Sequence, residues 1–583
     1  MIGRSPAVSK RRLLLAYGIG LAPAMAMALG QPVWSRVDEA AHYDVIAQYA
    51  AGVYPRDSVT TIRPQTLEVM ERTGVYGFVV DNAYARPDVS AGFQAMPSGL
   101  DDTAHVLWIR RHGFQYSYES FQPPLYYLSA LPGWQVGKAA GGALGAVYTV
   151  RIFDALLAAL LAPLCMLITL RLWPANASAA WTVAVLAAAL PGVPLNLASI
   201  TNDALVSVLG AACILVALDG RWTWRRIALA GALLGAALLT KTSAVALVPA
   251  IALALLDRSR AGGLRALVGG GAVTAVLFVP WLMSNLAIYG ELLTTKEQLA
   301  MSAFPARTAA PDFWSVSTLH AFVTFWSGDP FLSLATAVPL TLVAAFITAL
   351  AIAGLVRAYR DPASPIAHAV LWILVLAAAG AFVVSATSPV LAAFNAPGRL
   401  AYVGLGAVLA LVAAGLRVEV PSLRLVRGVI STFAALSVIG LAVLAFPAPP
   451  VPSNPGQPVL ASVQSTDRHG EFGGVSIDLQ KCAVDTSGDL WLMVLIRNTG
   501  PSPAEWSQSA EVRGGGEAVA TSGYSHSTPF PMTLPPGRDI SGWLWLGPRT
   551  RLAFTGPVTV QFRDIATDGY RSIGTVDIPT TLC

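Results

Sequence analysis

Apolar runs of spanning or near-spanning length recur through the first three quarters of the chain. They fall at about residues 13–33, 150–170, 177–197, 203–218, 226–240, 242–257, 266–288, 331–356, 366–388, 400–416 and 428–447. A helix needs roughly 20 consecutive apolar residues to cross the hydrocarbon core of a bilayer. The pattern therefore predicts about eleven transmembrane helices. After residue 447 the period changes. "VSIDLQKC", "DLWLMVLIRN", "GWLWLG", "VTVQFRD" and "SIGTVDIP" are short runs rich in β-branched and aromatic residues, bounded by Gly, Pro, Asn and Asp. Such runs predict strands, and their number predicts a small β-sandwich over about 458–583.

The two patterns define a polytopic α-helical membrane protein with a C-terminal β-domain. Residues 1–447 form the membrane domain, which contains a long loop at 34–149, and 448–457 form a linker. The linker lies in "FPAPPVPSNPGQP", whose prolines make it a stiff, extended spacer. The N-terminal stretch, with basic residues before an apolar core and "AMA" near its end, has the form of a signal peptide. Its length from Leu13 to about Val33 reads equally as an uncleaved first helix, and we take it as that.

Composition agrees with a membrane setting. Of 583 residues, 55% are hydrophobic and only 12% charged, where soluble domains carry roughly 25% charged residues. Mean hydropathy is +0.58. The net charge of +5 gives no reason to expect a nucleic-acid partner, because basic residues concentrate in the cytoplasmic loops of membrane proteins. Basic clusters around Arg11, Arg171, Arg225, Arg258, Arg357 and Arg424 fall at every second connection, which places the amino terminus inside. An odd number of crossings then puts the β-domain outside. There Cys482 and Cys583 are candidates for a disulfide, which an oxidising compartment permits. Cys165 and Cys213 lie within apolar runs and read as small core residues.

The same topology gathers polar residues on the outer face. In "SRVDEAAHYDVIAQYA" (35–50), Ser35-x-x-Asp38 fits a capping box, and Asp38 and His42 also share a helical face where a partly desolvated carboxylate can serve as a base. Both readings stand at this level. "YESFQPPLYYLSALPGW" (118–134) carries Tyr126 and Tyr127 after two helix-starting prolines and fits an interfacial helix. Asn202 and Asp203 stand at a helix start, where capping is the favoured reading for Asn202. Lys241 interrupts apolar sequence on both sides, and Arg399 in "FNAPGRLAYV" stands with little acidic sequence nearby. A lysine so placed faces a cavity, pairs or snorkels. Two cations without obvious partners suit an anionic ligand, and the arginine fork suits phosphate. An anionic substrate with an apolar tail, such as a lipid-linked phosphate, fits both the charge and the membrane.

In order, "VDEAAHY", "FQPPLYYL", "SITNDALV", "LLTKTSAV", "PWLMSNLAIYGELL" and "APGRLAYV" resemble motifs of the glycosyltransferase C superfamily. The similarity runs from about residue 30 to 450 and is nearest to the bacterial branch of protein mannosyltransferases and lipid A aminoarabinose transferases. The resemblance implies a multi-pass protein of a bacterial cytoplasmic membrane, its amino terminus cytoplasmic and its active site and β-domain extracytoplasmic. It implies an inverting transfer of sugar from polyprenyl phosphate to a glycan, lipid or protein acceptor. Asp38 is the implied base, with Glu39 as its catalytic neighbour. Lys241 and Arg399 are the implied phosphate ligands. Glu39 and His42 are implied to orient the base or, with Asp38, to hold a divalent metal ion. Gln122 stands where relatives often carry His or Lys, so that phosphate contact is weakened to a neutral one. Leu400 replaces a common tyrosine, leaving Tyr402 as the nearest aromatic. A non-catalytic transporter or assembly factor for lipid-linked glycans is the alternative, although such proteins usually show internal repeats and midplane sites.

Overall fold

The structure is a computed structural model. It describes residues 8–31, 33, 39–53, 119–174, 176–219, 221–294, 313–328, 334–362, 364, 368–392, 397–420, 422–445, 460–472, 474–485, 489–502, 504–505, 510–514, 517–521, 533–534, 536–548, 558–563 and 572–578. Described residues up to 445 belong to a helical unit, and those from 460 onward to a β unit.

The helical unit runs α1 (Lys10–Gly30), α2 (Glu39–Ala50), α3 (Leu125–Ala159), α4 (Leu161–Leu172), α5 (Ala177–Ala189), α6 (Gly192–Leu197) and α7 (Asn202–Ala217). It continues with α8 (Trp224–Thr240), α9 (Val248–Leu256), α10 (Leu264–Tyr289), α11 (Phe313–Ser327), α12 (Leu334–Arg360), α13 (His368–Ala392), α14 (Leu405–Glu419) and α15 (Leu423–Ala445). Among the described residues, six segments are long and apolar enough to cross a membrane: Lys10–Gly30, Leu125–Leu172, Leu264–Tyr289, Ala337–Arg360, His368–Ser388 and Gly398–Glu419. Several runs expected to span are shorter or broken. The 177–197 run divides into α5 and α6 around Leu190 and Pro191, and the 242–257 run opens as a 3-10 turn, Thr242–Leu247, before α9.

The run at 150–170 falls in the second part of α3 and in α4. α3 begins at Leu125, directly after Pro123-Pro124, and breaks only at Gly141 and Gly142, where Gly142 has φ +65°. That left-handed backbone suits glycine. The two arms then fold back on each other. A Cβ on Gly137 would lie 2.4 Å from the Gly145 carbonyl oxygen, and the Tyr126 hydroxyl reaches Asp154 near the far ends of the arms. Glycines at the closest point let the backbones touch, the small-residue packing common between membrane helices.

In the β unit, strands β1 (Leu460–Phe472), β2 (Val475–Asp485), β3 (Asp489–Asn498) and β8 (Asp539–Pro548) form one antiparallel sheet in the order β1-β2-β3-β8. A second antiparallel sheet has the order β10-β9-β5-β6, from β5 (Ala510–Gly514), β6 (Glu517–Thr521), β9 (Val558–Arg563) and β10 (Ser572–Ile578). Two-residue strands β4 (Ala504–Glu505) and β7 (Thr533–Leu534) pair separately. The inward face of the first sheet is set by alternation: Ile477 and Leu479 on β2, and Leu492, Val494 and Ile496 on β3, are buried. Cys482 is held in a disulfide; Cys583, the partner expected for it, lies outside the described residues.

Candidate functional site

The site is assembled from helix ends. Asp203 sits in the first turn of α7, where the partial positive charge of the helix N-terminus favours a carboxylate. The cap of that helix is Thr201, whose hydroxyl accepts from the Asp203 backbone N–H at 3.2 Å. This corrects the capping role expected for Asn202: neither polar atom of its buried amide has a hydrogen-bond partner among the described residues.

Lys241 ends α8 in an extended conformation, φ −159° and ψ 134°, which turns its side chain out of the helical path. Its ammonium donates to Asp203 Oδ1 at 2.6 Å. Arg399 follows Gly398 in another 3-10 turn, Gly398–Gly404, and its Nε lies 3.6 Å from Asp203 Oδ2. Gly398 is needed there, because a Cβ would meet the Phe325 backbone nitrogen at 2.1 Å, and its N–H donates to Thr324 Oγ1 at 2.7 Å. The two cations read as unpartnered in the sequence thus converge on one carboxylate. Asp203 is 2% exposed, Lys241 13% and Arg399 16%. Two positive groups thus flank one negative group in a nearly dry setting, where Coulomb interactions are strong.

A second cluster adjoins the first. Glu39, in the first turn of α2, takes both forks of Arg151, Nε to Oε1 and Nη2 to Oε2, each at 2.6 Å. Both side chains are fully buried. Arg151 also donates to the Gln31 carbonyl, and the Ile200 N–H donates to Glu39 Oε1 at 3.0 Å. Asp154, one turn beyond Arg151, accepts from the Tyr126 hydroxyl at 2.6 Å and from the Thr201 N–H at 3.4 Å. Its Oδ1 is buried with no partner among the described residues. The segment from Ile200 to Asp203 therefore touches Glu39, Asp154, Lys241 and Arg399 within four residues.

His42, 2% exposed, lies with Nδ1 3.0 Å from the Tyr127 hydroxyl and 3.7 Å from the Glu119 carboxylate. It is within electrostatic reach of Asp203. Gln122 is half-buried in the turn before α3, where its backbone N–H donates to the Glu119 carbonyl. Tyr402 is buried three residues beyond Arg399, in the same 3-10 turn. Its hydroxyl donates to the Phe325 carbonyl at 3.0 Å, and it packs edge-on against that ring.

The expected base, Asp38, lies outside the described residues. Of the metal set suggested with it, Glu39 is committed to Arg151 and His42 to Tyr127 and Glu119. Among the described residues no group of three His, Cys, Asp or Glu side chains is placed to hold a metal ion. Arg151, Asp154 and Glu119 were not singled out from the sequence. Two ionisable residues three apart inside an apolar run, Arg151 and Asp154, were a usable signal, since such residues rarely occur within membrane segments without function or pairing.

Fold and site together define a multi-pass helical membrane protein with a buried, charged polar cluster built at the ends of its helices. The chain belongs to the family described as predicted membrane protein DUF2142, whose profile matches residues 23–392. No curated protein matches it. Among solved structures it is similar to ArnT from Cupriavidus metallidurans bound to undecaprenyl phosphate, with 16% identity and a TM-score of 0.39 over 75% of this chain. It is similar also to the apo state of the same protein, with 17% identity and a TM-score of 0.42 over 74% of this chain. In both cases the match spans 64% of the ArnT chain.

Proposed function

We propose that this protein is an inverting glycosyltransferase that moves a sugar from a polyprenyl-phosphate donor to an extracytoplasmic acceptor, a cell-envelope glycan, lipid or protein. The observation that carries the reading is the convergence of Lys241 and Arg399 on the single carboxylate of Asp203. Two preorganised cations suit a phosphate that must leave as an anion, because they stabilise such a leaving group as charge develops. The superfamily motifs named above supply the reaction class.

In this reading Asp38 removes the proton of an acceptor hydroxyl while its oxygen bonds to the anomeric carbon. The bond from that carbon to the phosphate oxygen breaks, and polyprenyl phosphate departs with the electron pair toward Lys241 and Arg399. Glu39 acts as a positioning residue: its ion pair with Arg151 ties the start of α2 to α3. Asp154 and Asn202 offer buried hydrogen-bonding capacity suited to sugar hydroxyls. His42 and Tyr127 border the same region. Residues 1–447 are the transferase domain, 448–457 its linker and 458–583 an extracytoplasmic module. The setting is a bacterial cytoplasmic membrane with the amino terminus inside.

The test is consumption of a panel of polyprenyl-phosphate sugars by the purified chain and by Asp38→Asn, with and without chelator. Turnover by the wild type and its loss in the variant is the expected result. Full activity of Asp38→Asn overturns the assignment of the base, and donor binding without turnover by the wild type overturns the transferase reading.

A further inference from the structure

α8 and α10 run side by side in the same direction. Trp224 lies over Gly269, Gly231 stands against Gly270, Gly235 faces Leu277, and the Thr274 hydroxyl donates to the Gly231 carbonyl at 2.9 Å. Their N-terminal ends therefore share one edge of the helical unit. Between them runs an apolar groove of about 350 Å³, lined by Trp224, Ala232, Gly269, Ala272 and Val276 among others. It is open to the surface: Trp224 is 67% exposed and Val276 74%.

Positive charge gathers at the Trp224 end. Asp219 is occupied by Arg171 at 2.6 Å and Arg226 at 3.1 Å. Arg221, Arg225, Arg258 and Arg265 are exposed there, and none of them makes an ion pair among the described residues. Helical spacing connects two of these arginines to the groove. Arg265, Gly269, Ala272 and Val276 follow one another at four, three and four residues, a single face of α10. Arg225 and Ala232 stand seven apart, on one face of α8. Each wall of the groove therefore carries an unpaired arginine at its head, with a tryptophan where aromatic side chains prefer the membrane interface.

We propose that this groove binds one anionic phospholipid, an acyl chain lying along Ala272 and Val276 and the phosphate held between Arg225 and Arg265. Charge complementarity selects this occupant: a neutral lipid gains the apolar contact alone, whereas basic pockets between membrane helices retain anionic headgroups. The site is separate from the Asp203 cluster and does not depend on the transferase reading.

The test is native mass spectrometry of the full chain in detergent after incubation with equal amounts of phosphatidylglycerol and phosphatidylcholine of the same acyl composition. The wild type is expected to retain phosphatidylglycerol in about 25-fold preference, about fivefold from each arginine. Arg225→Gln/Arg265→Gln brings the two near parity, at about fivefold for each arginine removed. Arg225→Lys/Arg265→Lys keeps most of the preference. Ala272→Trp, which fills an exposed position in the groove, lowers retention of both lipids. Arg424→Gln removes an exposed arginine from another helix and leaves the preference unchanged. Equal retention of the two lipids by the wild type, an unaltered preference in the double glutamine variant, or an equal fall in Arg424→Gln would each overturn the proposal. Elution as a single monodisperse species establishes that each variant is folded before its lipids are weighed.

Discussion

Glu39 and Arg151, 112 residues apart, meet in a fully buried two-pronged ion pair that joins α2 to the second arm of α3. Removing one partner of such a pair leaves an uncompensated charge away from water, which costs about 3–5 kcal/mol. Arg151→Met is therefore expected to lower stability by that amount in detergent. The double variant Glu39→Leu/Arg151→Met recovers most of it, because no charge is left stranded. Denaturant or thermal unfolding of the three chains measures both; equal losses in the single and double variants would show that the pair matters through packing alone.

The convergence on Asp203 gives a kinetic prediction. If Lys241 and Arg399 stabilise a departing phosphate, Lys241→Met reduces donor turnover by about 10²–10³-fold, the range for loss of one preorganised electrostatic group. Tyr402→Phe, which removes only a hydroxyl bonded to the Phe325 carbonyl, changes stability more than turnover. Initial rates with a saturating donor, set beside melting temperatures, separate the two effects.

The hairpin in α3 makes a packing prediction. A Cβ at Gly145 would sit 2.3 Å from the Gly137 carbonyl oxygen, whereas one at Gly18 in α1 meets nothing within 4 Å. Gly145→Ala is expected to cost about 1–3 kcal/mol through forced separation of the two backbones. Gly18→Ala is expected to be neutral or stabilising by up to about 1 kcal/mol, from helix propensity. Thermal unfolding of the two alanine variants in one detergent checks the contrast.

His469, exposed on β1, pairs across the strand with Asp478 on β2. The hydrogen bond to the Asp478 carboxylate raises its pKa above the ordinary 6.5, with smaller help from Glu471 and opposition from burial and from Arg497. A raised folded-state pKa means that the protonated ring is favoured in the folded chain. Its contribution is present in acid and is lost as pH rises through the folded value. Histidine-selective NMR is expected to show His469 titrating above 6.5 in the wild type and lower in Asp478→Asn. An unshifted midpoint in that variant would remove the carboxylate as the cause.

The two kinds of unit and most of their elements were legible in the residue pattern alone. Membrane length and apolar composition are local properties, so Lys10–Gly30, Leu264–Tyr289 and His368–Ser388 were legible as spans. Alternation is equally local, and β2, β3, β9 and β10 stand where the alternating runs are. Strand β1 was missed although it has 13 residues, because its sequence LASVQSTDRHGEF is largely polar, and β4 to β7, of two to five residues, were missed for their brevity. Candidate residues were legible as types, since a lysine or arginine between apolar runs is conspicuous wherever it points. Their partners were decided by the tertiary structure. Lys241 and Arg399 lie 158 positions apart in the chain, yet both find Asp203, and Glu39 finds Arg151, which the sequence did not single out. A charge buried at low dielectric must be compensated by whatever group helix packing brings near. That neighbour is set by where the helices end and cross, which residue spacing along the chain does not encode.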